Sequence, residues 1–422
     1  MIPTAAAAPF PAAGGGISEK YAPPIVIEYL FYAQVFYSIM GAFLGLSISM
    51  LGFGMLALAA AVCLLSVGTY APVILTPVLL PIASGVSYLL VQTLVHHQSV
   101  GGEYVRDFVP WILALIVTQC LALRRGFLHR AALVVLLIGL LTLPFLSSFV
   151  NDESREGLSK GITIGNPNDL GAWFGFCCVY LVLVGLETRR TWLRTLVWLG
   201  AAGCLGVVGL TVSRGPLLAS GIAIAFGCRR VLKRGFLPLV SLLLAVWIAI
   251  GFGVFDAQAS RFLARGTEES GRFSVWPRAV ERIIEAPLFG VGANEVQTAR
   301  SDDGTPITPH NAFIFIALAS GMIPLLLFAA YWFRCLVHAR RLSAAGHEDA
   351  PFQSALLLYA FLISMNLNMP FMLPWPMITL AAVTGPGFLL RATVQGRRWG
   401  QGAFAGAGLR GNPQPQLRRP MV

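Results

Sequence analysis

Charged residues are scarce in this sequence: Asp, Glu, Lys and Arg make up 12% of its 422 residues, against about 25% in an average soluble domain. This scarcity excludes an ordinary water-soluble protein. Hydrophobic residues make up 56% of the chain, and apolar stretches of the roughly 20 residues that a helix needs to cross a bilayer recur between residues 25 and 392. The composition therefore predicts a polytopic membrane protein of the all-α class.

Metal-binding and disulfide patterns are also missing. The seven cysteines lie within or at the ends of apolar segments, where cysteine acts as a small hydrophobic residue. No Cys/His spacing typical of zinc and no disulfide framework occurs. The chain starts without the basic residues and cleavage site of a secretory signal. We therefore expect no metal and no cofactor, and we interpret residues 1–24 as a disordered cytoplasmic leader.

Apolar runs separated by charged or turn-rich breaks predict about twelve transmembrane helices. Helices one to nine are expected within residues 25–255 and helices ten to twelve within residues 310–392. The approximate spans are 27–46, 48–68, 72–95, 107–123, 131–150, 166–186, 191–212, 215–228, 235–255, 310–334, 352–371 and 376–391.

Basic residues gather in every second connection between these spans. The connections concerned, together with the basic tail 393–422, contain Lys20, Arg124, Arg125, Arg130, Arg189, Arg190, Arg194, Arg229, Arg230, Lys233, Arg234, Arg334, Arg340 and Arg341. The positive-inside rule places this set and both termini in the cytoplasm. The net charge of +11 is therefore a topology signal and does not indicate a nucleic-acid partner.

The same assignment leaves one long connection, residues 256–309, on the periplasmic side. A structureless loop of this length would be unusual, so we expect it to contain helices and to carry function. Polar motifs at residues 166–169, 213–216 and 309–311 open three spans that begin on the same side. The sequence therefore predicts a functional site on this face.

Arg214 is expected at a helix N-terminus near the outer interface, because one apolar span precedes it and another follows. A cation opposes the helix dipole there. An anionic ligand, held by the guanidinium and by backbone N–H groups, would reconcile the two. The alternative is an interfacial arginine that reaches lipid head groups, with Ser213 as the helix N-cap.

Arg278 and Arg282 are four residues apart in the long connection and would share one face of a helix. The apolar residues expected to anchor this helix on the membrane are Trp276, Ile283 and Ile284. The alternative is a solvated helix in which Glu281 and Glu285, three residues after each arginine, form salt bridges. The segment GVGAN at residues 290–294 is interpreted as a tight turn.

His310 opens a span directly after the long connection. An unperturbed histidine accepts a proton from a hydroxyl at neutral pH, which makes His310 a candidate general base. The alternative is an interfacial histidine bonded to backbone or lipid. Asn168 and Asn311 are candidates for a supporting role, with a helix cap as the alternative for Asn168. His96 and His97 are interpreted as ordinary loop residues.

Four segments in this order resemble the O-antigen ligase and O-antigen polymerase superfamily over roughly residues 160–335: NPNDLGAWF, TVSRGPLLAS, GRFSVWPRAVERIIEAPLFGVGANE and HNAFIFIALASGMIP. The resemblance implies a GT-C-like, metal-independent glycosyltransferase that moves a glycan from undecaprenyl diphosphate to an acceptor hydroxyl on the periplasmic side of the bacterial inner membrane. It implies that Arg214 and Arg278 contact the diphosphate, with Arg272 as a further candidate. It also implies that His310 activates the acceptor hydroxyl.

The motifs do not separate two reactions that share this donor. A ligase would use a lipid A core sugar or a similar acceptor, and an O-antigen or exopolysaccharide polymerase would use another lipid-linked repeat. A transporter of a polar lipid or small anion is an alternative from a different class. Transporters commonly have ionisable residues at mid-membrane and two similar halves, whereas these spans have few charges at their centres and no evident repeat.

Overall fold

The computed structural model describes residues 22–41, 43–44, 48–68, 71–97, 102–149, 152–158, 162, 164–232, 272–296, 299–300, 306–367 and 373–386. Several predicted regions lie outside these residues. They are nearly all of the leader 1–24, the span 235–255, the first part of the connection 256–309 and the tail 393–422.

Helices make up most of the described chain, as the apolar runs predict. In chain order they are α1 (Ile25–Met40), α2 (Ile48–Val67), α3 (Ala71–Leu75), α4 (Leu79–Leu94), α5 (Gly102–Leu121), α6 (Phe127–Thr142), α7 (Pro167–Glu187), α8 (Thr191–Leu210), α9 (Arg214–Leu232), α10 (Arg272–Glu285), α11 (Ala312–Ser320), α12 (Met322–Ala344), α13 (Ala350–Ser364) and α14 (374–386). Short 3-10 helices occupy Thr76–Val78, Leu143–Phe145 and Ala293–Glu295. The long connection 256–309 contains α10.

Among the residues that the structure describes, five helical stretches are long and apolar enough to cross a membrane: Thr76–Leu94, Phe127–Phe145, Pro167–Glu187, Thr191–Leu210 and Met322–Ala344. Shorter apolar helices occupy Ile25–Met40, Leu51–Val67, Phe108–Leu121 and Ala350–Ser364. The predicted class of helical membrane protein is confirmed at this level. The number of spans and the side on which each connection lies stay predictions.

Helix α7 is the centre of the bundle. In its most apolar window 83% of the residues are buried, against 22% in the neighbouring α8, so α8 is a peripheral helix. Two aromatic side chains hold α7 by hydrogen bonds. Trp173 Nε1 donates to the Val135 carbonyl oxygen on α6 at 2.9 Å, and the Tyr359 hydroxyl on α13 donates to the Ala172 carbonyl oxygen at 2.7 Å. The first turns of α7 are therefore fixed between α6 and α13.

The structure differs from the predicted span 310–334, which is interrupted. α11 ends at Ser320 and α12 begins at Met322, because Gly321 adopts a φ of +83° that a continuing helix does not allow. Short strands also occur where the sequence predicts none. They form two antiparallel pairs, β1 (Leu146–Phe149) with β2 (Asp152–Leu158) and β3 (Ala299–Arg300) with β4 (Pro306–Ile307). Both pairs connect helices and leave the helical core unchanged.

One end of the bundle is held by ion pairs between distant parts of the sequence. The Glu28 side chain, 0% exposed, accepts hydrogen bonds from Arg130 Nε at 2.7 Å and Arg130 Nη2 at 3.0 Å. Arg124 Nε lies 3.4 Å from the same carboxylate. Arg125 donates from Nε and Nη2 to the two carboxylate oxygens of Glu348, each at 2.9 Å. These pairs join α1, α6, the connection before α6 and the connection before α13.

His129 and Asp349 form a further pair at this end. His129 Nε2 lies 3.1 Å from Asp349 Oδ1, and His129 Nδ1 lies 3.3 Å from the Tyr180 hydroxyl. Burial alone would raise the pKa of the Asp349 carboxyl, but the hydrogen bond and the charge of His129 hold that pKa below its usual value. α13 begins beside Asp349 and leads to the opposite end of the bundle, where the candidate site lies.

Candidate functional site

The turn between α8 and α9 holds Arg214, which is partly buried and is the first residue of α9. Two residues earlier, Val212 adopts a φ of +50°, a conformation that β-branched residues rarely take. Such strain costs about 1–3 kcal/mol and persists only where the surrounding structure enforces it. The strain marks this turn as a candidate functional element.

Asn168 lies against this turn, so the first two polar motifs meet. The Ser213 hydroxyl lies 2.9 Å from Asn168 Oδ1 and 3.2 Å from the Pro167 carbonyl oxygen, and it donates toward them. The cap of α7 is Asn166, whose side chain accepts a hydrogen bond from the Asn168 N–H at 2.9 Å. The Asn168 side chain therefore helps to hold the Arg214 turn and does not cap its own helix.

Helix α10 carries the arginines of the long connection. Arg278 is exposed and has no hydrogen-bond or ion-pair partner among the residues that the structure describes. Arg282, one turn later, donates from Nη1 to the Glu295 carbonyl oxygen at 2.7 Å. Within the described part of the chain, neither arginine forms the alternative salt bridge with Glu281 or Glu285. Arg278 is therefore the one of this pair whose donors point to solvent.

Two of the three residues predicted to anchor α10 on the membrane contact the protein, and the membrane anchor itself stays a prediction. Trp276 Nε1 donates to the Pro309 carbonyl oxygen at 2.8 Å, and Ile283 packs against a buried apolar cluster. Both side chains therefore face the protein. They join α10 to the His310 turn and to α11. Ile284 is 71% exposed. Arg272 is the first residue of α10, and its side chain lies outside the described set.

His310 lies in the turn that Trp276 reaches. It is partly buried and adopts a φ of +46°, which is uncommon for a residue other than glycine. Asn311 is 3% exposed and caps α11, because its Oδ1 accepts hydrogen bonds from the N–H groups of Phe313 at 3.0 Å and Ile314 at 3.2 Å. The cap fixes the direction in which α11 leaves the turn. Asn311 thus supports the conformation of His310 through the backbone.

The C-terminal end of α13 lies between these two strained turns. Phe361 on α13 packs against Phe313 on α11 with ring centroids 5.8 Å apart. Asn366 follows the end of α13 and touches the start of α9, since a Cβ at Gly215 would lie 2.6 Å from Asn366 Oδ1. The starts of α7, α9 and α11 therefore share one end of the bundle.

The residues gathered at this end lie largely within one stretch of sequence that is similar to known proteins. Residues 199–329 match the family model for O-antigen ligase. The match runs from α8 into α12 and covers Arg214, Arg272, Arg278, His310 and Asn311, whereas Asn168 precedes it. The predicted resemblance to the O-antigen ligase superfamily is confirmed over these residues, and it indicates a function of the ligase or polymerase class. No curated protein matches the chain.

Some residues that bond the matched region or lie within it are not evident from sequence. The sequence predicts Ser213 as a possible helix cap and Trp276 as a membrane anchor. It does not predict the hydrogen bond of Ser213 to Asn168 or that of Trp276 to Pro309. Outside the matched region, Gln92 on α4 accepts a hydrogen bond from the Ala293 N–H, eight residues after the end of α10. Among the described residues, no group of three or more His, Cys, Asp or Glu side chains is arranged to hold a metal ion.

Proposed function

We propose that the protein is a membrane glycosyltransferase of the GT-C type. It transfers a glycan from undecaprenyl diphosphate to an acceptor hydroxyl on the periplasmic face of the bacterial inner membrane. One observation carries the proposal: within a region that matches the O-antigen ligases, the helix that presents the exposed Arg278 is hydrogen-bonded to the residue before the strained His310. An anion-binding group and a base are thus held by one connected structure.

The arginines Arg214, Arg278 and Arg272 are proposed to bind the donor diphosphate. A guanidinium forms two parallel, charge-assisted hydrogen bonds to phosphate oxygens, and the N-terminus of α9 adds backbone N–H groups directed at an anion. Such groups stabilise the charge that develops on the leaving diphosphate. We therefore propose that arginine takes the part that a divalent metal plays in other transferases and that the reaction is metal-independent.

His310 is proposed as the general base. Its neutral imidazole accepts the proton of the acceptor hydroxyl while the hydroxyl oxygen attacks the anomeric carbon of the donor sugar. A new glycosidic C–O bond forms and the bond between the anomeric carbon and the phosphate oxygen breaks. Undecaprenyl diphosphate leaves with the bonding electron pair, and the imidazolium later returns its proton to solvent. Asn168 and Asn311 support the two turns and do not touch the reacting atoms.

The proposed orientation places this site in the periplasm and both termini in the cytoplasm. It includes about twelve transmembrane helices, with residues 256–309 as a periplasmic connection. The arginines Arg124 and Arg125, in the connection before α6, and Arg130, in the first turns of α6, lie at the end of the bundle opposite His310. This separation supports the orientation, because basic connections face the cytoplasm.

The proposed acceptor is a lipid A core sugar or a similar glycan, because the matched family model is that of O-antigen ligase. A polymerase would use the same donor and the same base but would accept a second lipid-linked repeat. The two reactions differ only in the groove that receives the acceptor. Product analysis with both acceptors therefore decides between them.

Reconstitution in lipid with undecaprenyl-diphosphate glycan and each acceptor, in the presence of EDTA, tests the mechanism. We expect wild-type transfer to persist in EDTA and His310→Ala to lower kcat by about 10²–10⁴-fold, the usual range for a general base. His310→Asn removes the base but keeps a residue that tolerates positive φ, so it separates chemistry from folding. Arg214→Ala should raise the donor KM. His347→Ala, at the opposite end, is the matched control and should keep the wild-type rate.

Two results would contradict the mechanism. One is a requirement for Mg²⁺, and the other is full activity in folded His310→Asn and Arg214→Ala, with folding checked by thermal unfolding. Movement of glycan across the bilayer without a new glycosidic bond would indicate a transporter instead.

A further inference from the structure

The segment that follows α10, residues 287–292, is bound to the break between α11 and α12, and we call it the docked segment. Three backbone hydrogen bonds join the two: Val291 N to Leu318 O at 2.7 Å, Gly292 N to Ala319 O at 3.1 Å and Met322 N to Pro287 O at 2.8 Å. The last carbonyl groups of a helix have no partners within that helix. The docked segment therefore completes the end of α11.

Two glycines allow this close approach. Gly290 has a φ of +66°, and a Cβ there would lie 2.4 Å from the Leu318 carbonyl oxygen. Gly321 has a φ of +83°, and a Cβ there would lie 2.1 Å from the Leu288 carbonyl oxygen. Any larger residue would collide with backbone at both positions. The tight turn predicted from GVGAN and the helix break at Gly321 are thus two halves of one contact.

Gln92 on α4 clamps this contact from the first part of the chain. Its side chain is 2% exposed, its Nε2 donates to the Ala319 carbonyl oxygen at 2.8 Å, and its Oε1 accepts from the Ala293 N–H at 2.7 Å. Only one orientation of the amide satisfies both partners, because one end must donate and the other must accept. Gln92 therefore holds the end of α11 and the residue after the docked segment at the same time.

The docked segment continues directly from the helix that carries Arg278. The Ala286 N–H donates to the Arg282 carbonyl oxygen at 3.1 Å and the Gly290 N–H to the Ala286 carbonyl oxygen at 2.9 Å, so helical bonding runs from α10 into the segment. At the other end of α10, Trp276 bonds the residue before His310. A displacement of the docked segment would therefore move α10 and with it Arg278. It would affect the His310 turn less, because that turn is bonded to the other end of α10.

We propose that Gln92 is a positioning residue for the donor site. By fixing the docked segment, it sets the place of Arg278 relative to His310 and so the affinity for the diphosphate-linked donor. The inference rests on the proposed function and extends it to α4, a helix outside the residues that match the O-antigen ligases. Gln92 touches no reacting atom, so its loss should affect donor binding more than the chemical step.

Donor kinetics of two Gln92 variants in reconstituted full-length protein test the proposal. Gln92→Ala should raise the donor KM about tenfold and change kcat by less than about threefold. Gln92→Glu is a conservative rescue, because a protonated carboxyl has the same donor and acceptor as the amide, and burial favours the protonated form. At about pH 5.5, Gln92→Glu should keep a donor KM within about twofold of wild type at the same pH.

Ser84→Ala is the matched control on the same helix. The Ser84 hydroxyl is also buried and donates to the Pro324 carbonyl oxygen on α12 at 2.8 Å, so its loss weakens the packing of α4 without touching the docked segment. We expect this variant to lose thermal stability but to keep the wild-type donor KM. Equal donor KM changes in Ser84→Ala and Gln92→Ala would overturn the proposal, and so would an unrescued Gln92→Glu.

A measurement without donor separates this inference from the proposed function. Trypsin cleavage at Arg278 and Arg282, followed by mass spectrometry, reports how firmly α10 is held. Cleavage should be faster in Gln92→Ala than in wild type or Ser84→Ala, and unchanged cleavage would overturn the positioning role. An inactive wild-type protein would contradict the proposed function, whereas the cleavage rates would still decide whether Gln92 holds α10.

Discussion

The two ends of the helical bundle use charged side chains in opposite ways. At one end Glu28 is fully buried and paired with Arg130. At the other end Arg278 is exposed with no partner among the described residues, and the backbone is strained at Val212 and His310. Charges that are paired within the protein hold its helices together. An exposed guanidinium on a helix that is hydrogen-bonded to the strained His310 turn is instead available to an anionic ligand, which is the pattern expected of a functional site.

The paired end also shows why a buried charge needs its partner. A buried ion pair gives little net stability, since both ions lose their hydration. Removal of one partner nevertheless lowers the free energy of unfolding, because the remaining charge stays buried without a counter-ion. The comparison of the two ends therefore predicts that variants at the paired end change stability, while variants at the exposed end change donor kinetics.

The largest effect on stability is expected from Glu28→Ala. A fully buried pair loses about 3–5 kcal/mol when one partner is removed, and we expect about 2–3 kcal/mol here because the Arg130 side chain is 37% exposed. The measurement is the free energy of unfolding of the purified protein in mixed micelles. The donor KM of the folded fraction should match that of wild type.

Glu348→Ala is the control for this prediction. Glu348 pairs with Arg125, but the two side chains are 55% and 68% exposed, and exposed pairs contribute about 0–1 kcal/mol. A loss of stability as large as that of Glu28→Ala would mean that burial does not distinguish the pairs. The contrast between the two ends would then need another explanation.

The next effect concerns two arginines one turn apart on α10. Arg278→Ala should raise the donor KM by about 10- to 100-fold, the range of charge-assisted hydrogen bonds, and leave thermal stability unchanged. Arg282→Ala removes the bond to the Glu295 carbonyl oxygen and should cost about 1 kcal/mol of stability. Steady-state donor kinetics and thermal unfolding of both variants provide the measurement.

Arg278→Lys sharpens this second prediction. Lysine keeps the charge but cannot form two parallel hydrogen bonds to one phosphate, so the donor KM should fall between those of wild type and Arg278→Ala. An equal effect of Arg278→Ala and Arg282→Ala on the donor KM would argue against a separate ligand-binding role for the exposed side chain.

Much of the fold follows from local sequence. The predicted span 166–186 agrees closely with Pro167–Glu187 because Asn166 caps the helix and proline suits its first position. The break at Gly321 falls within the predicted span 310–334, which treats Ser320, Gly321 and Met322 as parts of one continuous helix. It forms because the docked segment supplies hydrogen bonds at that point, and local composition does not encode a partner that approaches from elsewhere in the chain.

The candidate site divides in the same way. Arg214, Arg278 and His310 stand out in sequence because charged and titratable residues are scarce in an apolar chain. Gln92 does not stand out, because its role depends on a hydrogen bond with Ala293, which is 201 residues away in the sequence. Val212 has no sequence signal either, because valine is poorly suited to positive φ and the conformation is imposed by its surroundings.

The smallest expected effect is the pH dependence of the Asp349 pair. The folded-state pKa of this carboxyl is held below the ordinary value of 3.8, so the ionised carboxylate contributes stability above about pH 4, and this contribution is lost as pH falls through the folded-state pKa. Asp349→Asn should cost about 0.5–1 kcal/mol at neutral pH and should flatten the acid limb of a plot of unfolding free energy against pH. The donor KM should not change, because Asp349 lies at the end of α13 away from His310. If the acid limb of Asp349→Asn is as steep as that of wild type, the pair of Asp349 and His129 does not stabilise the protein. The contrast between the two ends of the bundle would then depend on the Glu28 pair alone.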